Sequence, residues 1–98
     1  MKILDRCKLE DCFDGSAVYQ YEFADPWDVP RIQALARLGK LDYYADFPRP
    51  LFRVASASGL FIKGLAGTNH CRVIFPGTNR EEVVRHFEAA MSVVDSAK

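Results

Sequence analysis

RVIFPGTNREEVVRHFEAAMSVV, residues 72–94, joins a short apolar strand, a Pro-Gly turn and an amphipathic helix in direct succession. Thr78 and Glu81 have the spacing of a capping box, in which each side chain satisfies a backbone N–H of the other residue. We therefore predict that Thr78 caps the start of the helix. Its apolar residues recur at helical spacing along one stripe, formed by Val83, Val84, Phe87, Ala90, Met91 and Val94. Such a stripe needs a sheet to cover, and the preceding strand supplies part of one.

Upstream, the segment AVYQYEF, residues 17–23, alternates apolar and polar residues and predicts a half-buried strand. A helix should follow, because Asp28 can cap it, Pro30 suits its first turn and Gly39 can end it in a left-handed conformation. Residues 41–47 lie before two prolines, which forbid a regular central strand. We expect an irregular or edge segment there.

Three apolar runs then follow in quick succession: LFRVASAS, GLFIKGLAG and HCRVIFP. Their short Gly-containing connections predict an antiparallel meander. The resulting β-α-β-β-β-α order, with or without one extra short strand before the meander, predicts an α+β two-layer sandwich with two helices on one face of an antiparallel sheet. Residues 1–15 have no clear periodicity and are treated as an N-terminal extension to a single domain of residues 16–98.

The order of elements, and especially the run RVIFPGTNREEVVRHFEAA, resembles one half-repeat of the TATA-box-binding-protein-like fold, over about residues 17–94. Duplex-binding members of that family use two such repeats, whereas this chain holds one. The apolar wedge residues that the family inserts between base steps have no counterpart here, so the resemblance implies a fold and carries over no function. A ferredoxin-like arrangement is the alternative.

Composition favours a cytoplasmic protein. No apolar run approaches the roughly 20 residues that span a bilayer, and residues 1–10 are too charged for a secretory leader, so we expect no membrane partner. The three cysteines, Cys7, Cys12 and Cys71, are an odd number, which favours reduced thiols over a disulfide framework.

The net charge of zero conceals a polarity along the chain. Residues 1–28 carry three basic and seven acidic residues, and 3 minus 7 gives −4. Residues 30–80 carry eight basic and two acidic residues, and 8 minus 2 gives +6. Either the basic part binds an anionic partner, or the acidic segment folds back and neutralises it.

Period-two alternation separates the two faces of the meander. The residues expected to face the helices are Phe52, Val54, Leu60, Ile62, Cys71, Val73 and Phe75. The residues expected on the opposite side are Arg53, Phe61, Lys63, Leu65, His70, Arg72 and Ile74. Cations mixed with aromatic and apolar groups are typical of single-stranded nucleic-acid binders, but the same face could dock a protein or a second copy of the chain.

Three further candidate sites remain. The turn of residues 76–79 leaves backbone N–H groups beside Arg80 that could bind an anion, although a capped helix explains the same residues. The loop of residues 43–50 could present Tyr44 and Arg49 to a partner, or could cover a sheet edge. Cys7 and Cys12 could join His70 or Cys71 at a metal only if the N-terminal segment crosses the sheet; otherwise Cys71 is a core residue.

No motif of high specificity for catalysis occurs in the sequence. Adjacent His70 and Cys71 point to opposite faces of a strand and cannot form a dyad. We therefore expect a binding module without catalysis or cofactor of its own, which docks a protein or a second copy of itself through the open sheet face. Nucleic-acid or other anionic-ligand binding through Arg53, Lys63 and Arg72 is the alternative, and a metal protein or small enzyme is the third.

Overall fold

The computed structural model describes residues 1–94 of the chain. Six strands form one antiparallel sheet: β1 (Ile3–Asp11), β2 (Ala17–Phe23), β3 (Lys40–Tyr44), β4 (Leu51–Ala55), β5 (Phe61–Leu65) and β6 (His70–Phe75). Two α-helices accompany them, α1 (Val29–Ala34), which continues as a 3₁₀ turn over Leu35–Arg37, and α2 (Arg80–Val94). The predicted α+β class is confirmed. The last four residues of the predicted domain lie outside the described part.

The strands lie in the order β1-β2-β6-β5-β4-β3, so β1 and β3 are the edges. The meander β4-β5-β6 is present as predicted, and the ambiguous segment after Gly39 forms the edge strand β3. The predicted order therefore lacked β1 at the front, while β3 is the extra short strand that the prediction left open before the meander.

β1 occupies most of the segment treated as an extension, and it pairs with β2 along its length. Its pairing shifts twice, between Ile3 and Asp5 and between Lys8 and Glu10. Each shift inserts an extra residue, Leu4 and Leu9, and both are exposed. Because a bulge interrupts the alternation of a strand, the sequence of β1 has no readable period two.

The core lies between one face of the sheet and the helices. Every meander residue predicted to face the helices is buried, and Ile62 and Phe87 are fully buried as expected from their central positions. Phe87 of α2 packs edge-on against Tyr21 and Phe75, with ring centroids 4.9 and 5.8 Å apart. Ile32 of α1 and Leu35 join the same cluster, so both helices cover one face.

Trp27, which no periodic pattern includes, is also buried in this core. It lies between β2 and α1, where its backbone N–H donates to the Thr68 carbonyl and its carbonyl accepts from Gly67 N–H, both at 2.8 Å. Its ring contacts Phe23 and Phe52. The Trp27 loop is therefore tied to the turn between β5 and β6.

Gly39 does not have the predicted left-handed conformation, since the positive-φ glycines are Gly15, Gly59 and Gly67. A Cβ at Gly39 would instead lie 2.3 Å from the Ala55 carbonyl oxygen. The position therefore needs glycine because β4 approaches it closely.

The predicted cap at Thr78 is wrong by one residue, since the helix begins at Arg80 and Asn79 is the residue that precedes it. Asn79 has a φ of 56° and its carbonyl accepts the hydrogen bond from Val83 N–H at 3.0 Å. The left-handed conformation, which asparagine tolerates, turns the chain between Thr78 and the helix. Within residues 1–94 the Thr78 hydroxyl makes no capping hydrogen bond.

Phe87→Ala should lower the free energy of unfolding by about 3 to 5 kcal/mol, because it removes buried apolar area and leaves a cavity beneath α2. Urea denaturation measures this loss. Phe13→Ala is the matched control, since Phe13 is fully exposed and its truncation should change stability by about 0.5 kcal/mol or less. A loss below about 1 kcal/mol in Phe87→Ala would contradict the packing of α2 on the sheet.

Candidate functional site: the open face of the sheet

The helices leave the opposite face of the sheet uncovered, and we call it the open face. Antiparallel partners point to the same side, so the register assigns its members directly. Lys63 of β5 lies opposite both Arg53 of β4 and Arg72 of β6. The row continues to Gln20 of β2 on one side and to Asp42 of β3 on the other. The three cations predicted to share this face therefore lie side by side on adjacent strands.

The three cations differ in their partners. The Arg53 guanidinium lies 3.6 Å from an Asp42 oxygen, donates to the Tyr44 hydroxyl at 2.8 Å and lies 5.3 Å from the centre of the Tyr44 ring. Lys63 and Arg72 are exposed, and neither forms an ion pair or a side-chain hydrogen bond with any residue from 1 to 94. Like charges directly opposite each other in a sheet are destabilising. The unpaired positive charge of the face is therefore concentrated at Lys63 and Arg72.

A concavity of about 360 Å³ lies beside these two cations. Gln20, Lys63, His70 and Arg72 give it polar walls, and its residues also include Leu51 and Leu65. Leu51 and Leu65 are cross-strand partners and are half-buried, so they form an apolar end of the depression. The combination offers two cations and an apolar contact to one ligand segment.

Gly64 contributes no side chain to either face at this point. A Cβ there would lie 2.7 Å from the ring of Phe52, which fills the helix-facing side. The backbone of β5 therefore lines the concavity at Gly64.

A second apolar area lies at the other end of the face. Val18 is opposite Ile74, and Ile74 is opposite Phe61, so the three form one row across β2, β6 and β5. All three are half-buried although no helix covers them. The row of cations thus lies between two apolar areas.

The acidic N-terminal segment occupies the β1 side of the same face. Asp5 lies opposite Glu22, and Glu22 lies opposite His70. Within the described chain neither carboxylate forms an ion pair. The charge polarity had two alternative explanations: the basic part binds an anionic partner, or the acidic segment neutralises it within the chain. The fold instead leaves an unpaired acidic pair and an unpaired basic pair on one face.

Most of the predicted binding residues therefore meet on the open face: Arg53, Phe61, Lys63, His70, Arg72 and Tyr44. Arg49 and Arg80 do not join them. Arg49 lies in the exposed loop after β3, and Arg80 begins α2 on the helix side, where its guanidinium donates to the Gly15 carbonyl. Four residues of the face were not predicted as site residues: Asp5, Gln20, Glu22 and Leu51. The alternation of β2 already put Gln20 and Glu22 on one face. The residues that lie opposite them on other strands depend on strand order, which the alternation does not give.

The cysteines are not brought together at a common site. Cys7 is on the open face of edge strand β1, and Gln20 and Arg72 follow it along the row. Cys71 faces the core, where burial raises the pKa of its thiol. No cluster of three or more histidine, cysteine or acidic side chains suited to a metal occurs among residues 1–94. The segment that would have had to cross the sheet extends its edge instead.

One polar cluster lies on the helix side. The Tyr21 hydroxyl and the Arg6 guanidinium both donate to one Glu88 oxygen, each at 2.8 Å. Burial raises the pKa of Tyr21 above its usual value, and the hydrogen bond to Glu88 raises it further. Because Tyr21, Arg6 and Glu88 are hydrogen-bonded to one another, the cluster joins β1, β2 and α2. We therefore assign it to the stability of the fold.

The ionisation of Tyr21 should lower the free energy of unfolding at alkaline pH. The folded state keeps Tyr21 protonated to a higher pH than the unfolded chain does, so its contribution is complete below about pH 10 and declines as the pH rises further. Urea denaturation between about pH 9 and 11 should give a free energy of unfolding that falls less steeply in Tyr21→Phe than in the native chain. Tyr43→Phe is the control, and equal slopes in Tyr21→Phe and the native chain would refute the assignment.

No protein-family model, curated protein or solved structure matches this chain. None of the helices in residues 1–94 has the length and apolar character needed to cross a membrane.

Proposed function

We propose that this chain is a non-catalytic binding module whose open face docks a protein partner, a second copy of the chain included. The observation that carries the proposal is the pair of unpaired cations, Lys63 and Arg72, beside the apolar Leu51–Leu65 pair in one concavity. Arginine and apolar side chains are enriched where proteins meet, and a charge that lacks an internal partner can gain one on binding.

The chemistry of the face specifies the segment it would accept. Carboxylates would meet Lys63 and Arg72, while apolar side chains would cover Leu51 and Leu65. An extended segment with acidic and apolar residues at alternate positions of one face, that is at i, i+2 and i+4, matches both, because side chains two residues apart in a strand point to the same side. Arg53 adds less, since Asp42 and Tyr44 already engage its guanidinium.

We also propose a fold family and a cellular compartment for the chain. The succession β2, α1, strands and α2 supports a half-repeat of the TATA-box-binding-protein-like arrangement, with β1 added at the edge. This likeness of fold does not transfer the function of that family to the chain. The cysteines Cys7, Cys12 and Cys71 are free thiols, which fits a reducing, cytoplasmic setting.

Nucleic-acid binding is the second candidate, and the alignment of Arg53, Lys63 and Arg72 across three strands favours it. Stacking on bases would need exposed aromatic rings beside these cations. Phe61 is half-buried, and Tyr44 is stacked on Phe47 with ring centroids 5.5 Å apart. The face thus offers more to carboxylates and aliphatic groups than to bases, which ranks a protein partner first.

A synthetic peptide of the repeat Leu-Ser-Glu-Ser, which places leucine and glutamate in turn on one side of an extended chain, should bind the native chain, and amide chemical shifts should change most along β5 and β6. Lys63→Glu with Arg72→Glu should weaken this binding by roughly tenfold or more, because like charges would then meet. The matched control is Arg37→Glu with Arg85→Glu, which changes the net charge equally at exposed residues away from the open face. Equal peptide affinity in the two double variants would overturn the proposal.

Mixed single-stranded oligonucleotides test the second candidate by fluorescence anisotropy at several salt concentrations. If Arg53, Lys63 and Arg72 each contact a phosphate, the logarithm of the affinity should fall with the logarithm of salt with a slope of about −2. Lys63→Glu with Arg72→Glu should abolish binding. A slope near zero, or affinity unchanged in that variant, would eliminate nucleic acid as the ligand of this face.

A further inference from the structure

The two edges of the sheet differ in how they are protected. The edge strand β1 has two bulges, and five of its nine residues are charged. Bulges and charges are common means by which a sheet edge avoids pairing with another chain. The edge strand β3 keeps an unbroken register with β4 over its five residues, and three of these are leucine or tyrosine. β3 is therefore the more regular edge for an added strand.

The hydrogen bonds of β4 show which of its residues bond to β3. At one end of β4 the Ala66 N–H donates to the Pro50 carbonyl, and at the other end the Ser56 N–H donates to the Leu60 carbonyl, both at 2.9 Å. Both bonds fit the register of β4 with β5. The even-numbered residues of β4 therefore bond to β5. Because hydrogen bonding alternates along an antiparallel strand, the odd-numbered residues of β4 bond to β3.

The same alternation identifies the backbone groups that β3 leaves free. Each odd-numbered residue of β4 lies opposite an even-numbered residue of β3, so Lys40, Asp42 and Tyr44 bond to β4. The N–H and C=O groups of Leu41 and Tyr43 point the other way. Within residues 1–94 no strand lies beyond them. The outer edge of β3 thus presents two donors and two acceptors in strand geometry.

We infer that a second copy of this chain adds its β3 strand antiparallel to this edge, about a two-fold axis perpendicular to the sheet at Leu41. The contact goes beyond the proposed function, because it lies at the sheet edge and leaves the open face accessible. A two-fold contact uses the same surface of both copies, so that surface must be complementary to itself. An axis perpendicular to the sheet keeps the helices of both copies on one side and joins the two sheets into one.

The charges of β3 are complementary about this axis. Leu41 lies opposite its own copy, and the outward N–H and C=O groups of the two leucines form two backbone hydrogen bonds. Lys40 of each copy lies opposite Asp42 of the other, at non-hydrogen-bonded positions where the Cα atoms are only about 4.5 Å apart. Opposite charges at such positions are stabilising. Asp42, whose carboxylate lies 3.6 Å from the Arg53 guanidinium, would then have a cation on each side.

Neighbouring positions of the axis lose this complementarity. An axis at Asp42 would place the two Asp42 carboxylates directly opposite each other, which is destabilising. An axis at Tyr43 would place Asp42 opposite Tyr44, and Lys40 opposite Asp46 in the loop after β3. The axis at Leu41 pairs both charges of β3 within the strand.

The size of the contact sets its expected strength. β3 has five residues, so the two strands bury far less than the roughly 800 Å² per partner of a standard stable interface. The dimer should therefore dissociate on dilution. Added salt should weaken it further, because the Lys40–Asp42 pairs would be exposed and are screened.

Hydrogen exchange of the native chain, measured by NMR over a concentration series, tests the hydrogen bonds. The Leu41 N–H should exchange rapidly in a dilute sample. It should exchange roughly tenfold more slowly once about 90 % of the chain is dimeric, because exchange then requires dissociation. The Asp42 N–H bonds to β4 in both states and should show no comparable change. A native dimer in which the Leu41 rate does not depend on concentration would overturn the contact at β3.

A charge exchange followed by sedimentation velocity tests the register. Lys40→Glu and Asp42→Lys should each dimerise roughly tenfold more weakly than the native chain, since like charges then face each other twice per dimer. An equimolar mixture of the two variants should recover the dimer, because the reversed residues face each other and the native ones do likewise. Arg85→Glu is the matched control for Lys40→Glu: Arg85 is exposed on α2, and this variant should dimerise like the native chain.

The outcomes separate this inference from the proposed function. A native chain that stays monomeric at every concentration, yet binds the Leu-Ser-Glu-Ser peptide, would overturn the edge contact and leave the open face intact. A chain that dimerises through β3 but does not bind the peptide would overturn the proposed function alone. A mixture that fails to recover the dimer would overturn the axis at Leu41. A dimer that survives Lys40→Glu but is lost in Lys63→Glu with Arg72→Glu would place the second copy on the open face instead.

Discussion

The packing of Phe87 against Tyr21 and Phe75 is the contact on which the rest of the structure depends. It fixes α2 across the two strands, β2 and β6, that join the N-terminal part of the chain to the meander. Tyr21 also donates to Glu88 of the same helix, and Glu88 in turn holds Arg6 of the edge strand. One helix therefore selects which face of the sheet is core. The other face remains uncovered as a direct consequence.

On the uncovered face, the charge polarity of the sequence becomes a separation between acidic and basic strands. The acidic first quarter of the sequence forms β1 and β2, and the basic middle part forms β3 to β6. Because β2 pairs with β6 and not with β3, the acidic strands adjoin the basic meander on one surface. The charges nevertheless remain apart, since Gln20 lies between Cys7 and Arg72 in the row that carries the cations. A face that is divided by charge in this way is suited to a partner that is divided likewise.

The partners of individual cations decide how much each can contribute to binding. Arg53 is held by Asp42 and Tyr44, and a surface ion pair of this kind is worth about 0 to 1 kcal/mol. Engaging a ligand would require Arg53 to leave these contacts. Lys63 and Arg72 have no such contacts to lose within residues 1–94, so their interaction with a carboxylate or a phosphate is not offset in the same way. Three cations that look equivalent in the sequence are thus unequal in the fold.

The sequence by itself determined the local structure: the alternation of β2 and the meander fixed which side chains share a face, and the stripe through Phe87 fixed the helix that covers one of them. It did so because period two and period 3.6 are properties of neighbouring residues. It could not determine β1, whose two bulges erase the alternation, or the exact start of α2, where the left-handed Asn79 displaces the expected cap. Only the tertiary structure decided that Lys63 lies between Arg53 and Arg72 while Asp5 lies opposite Glu22. Those neighbours are set by strand order and register, which depend on contacts between residues far apart in the chain.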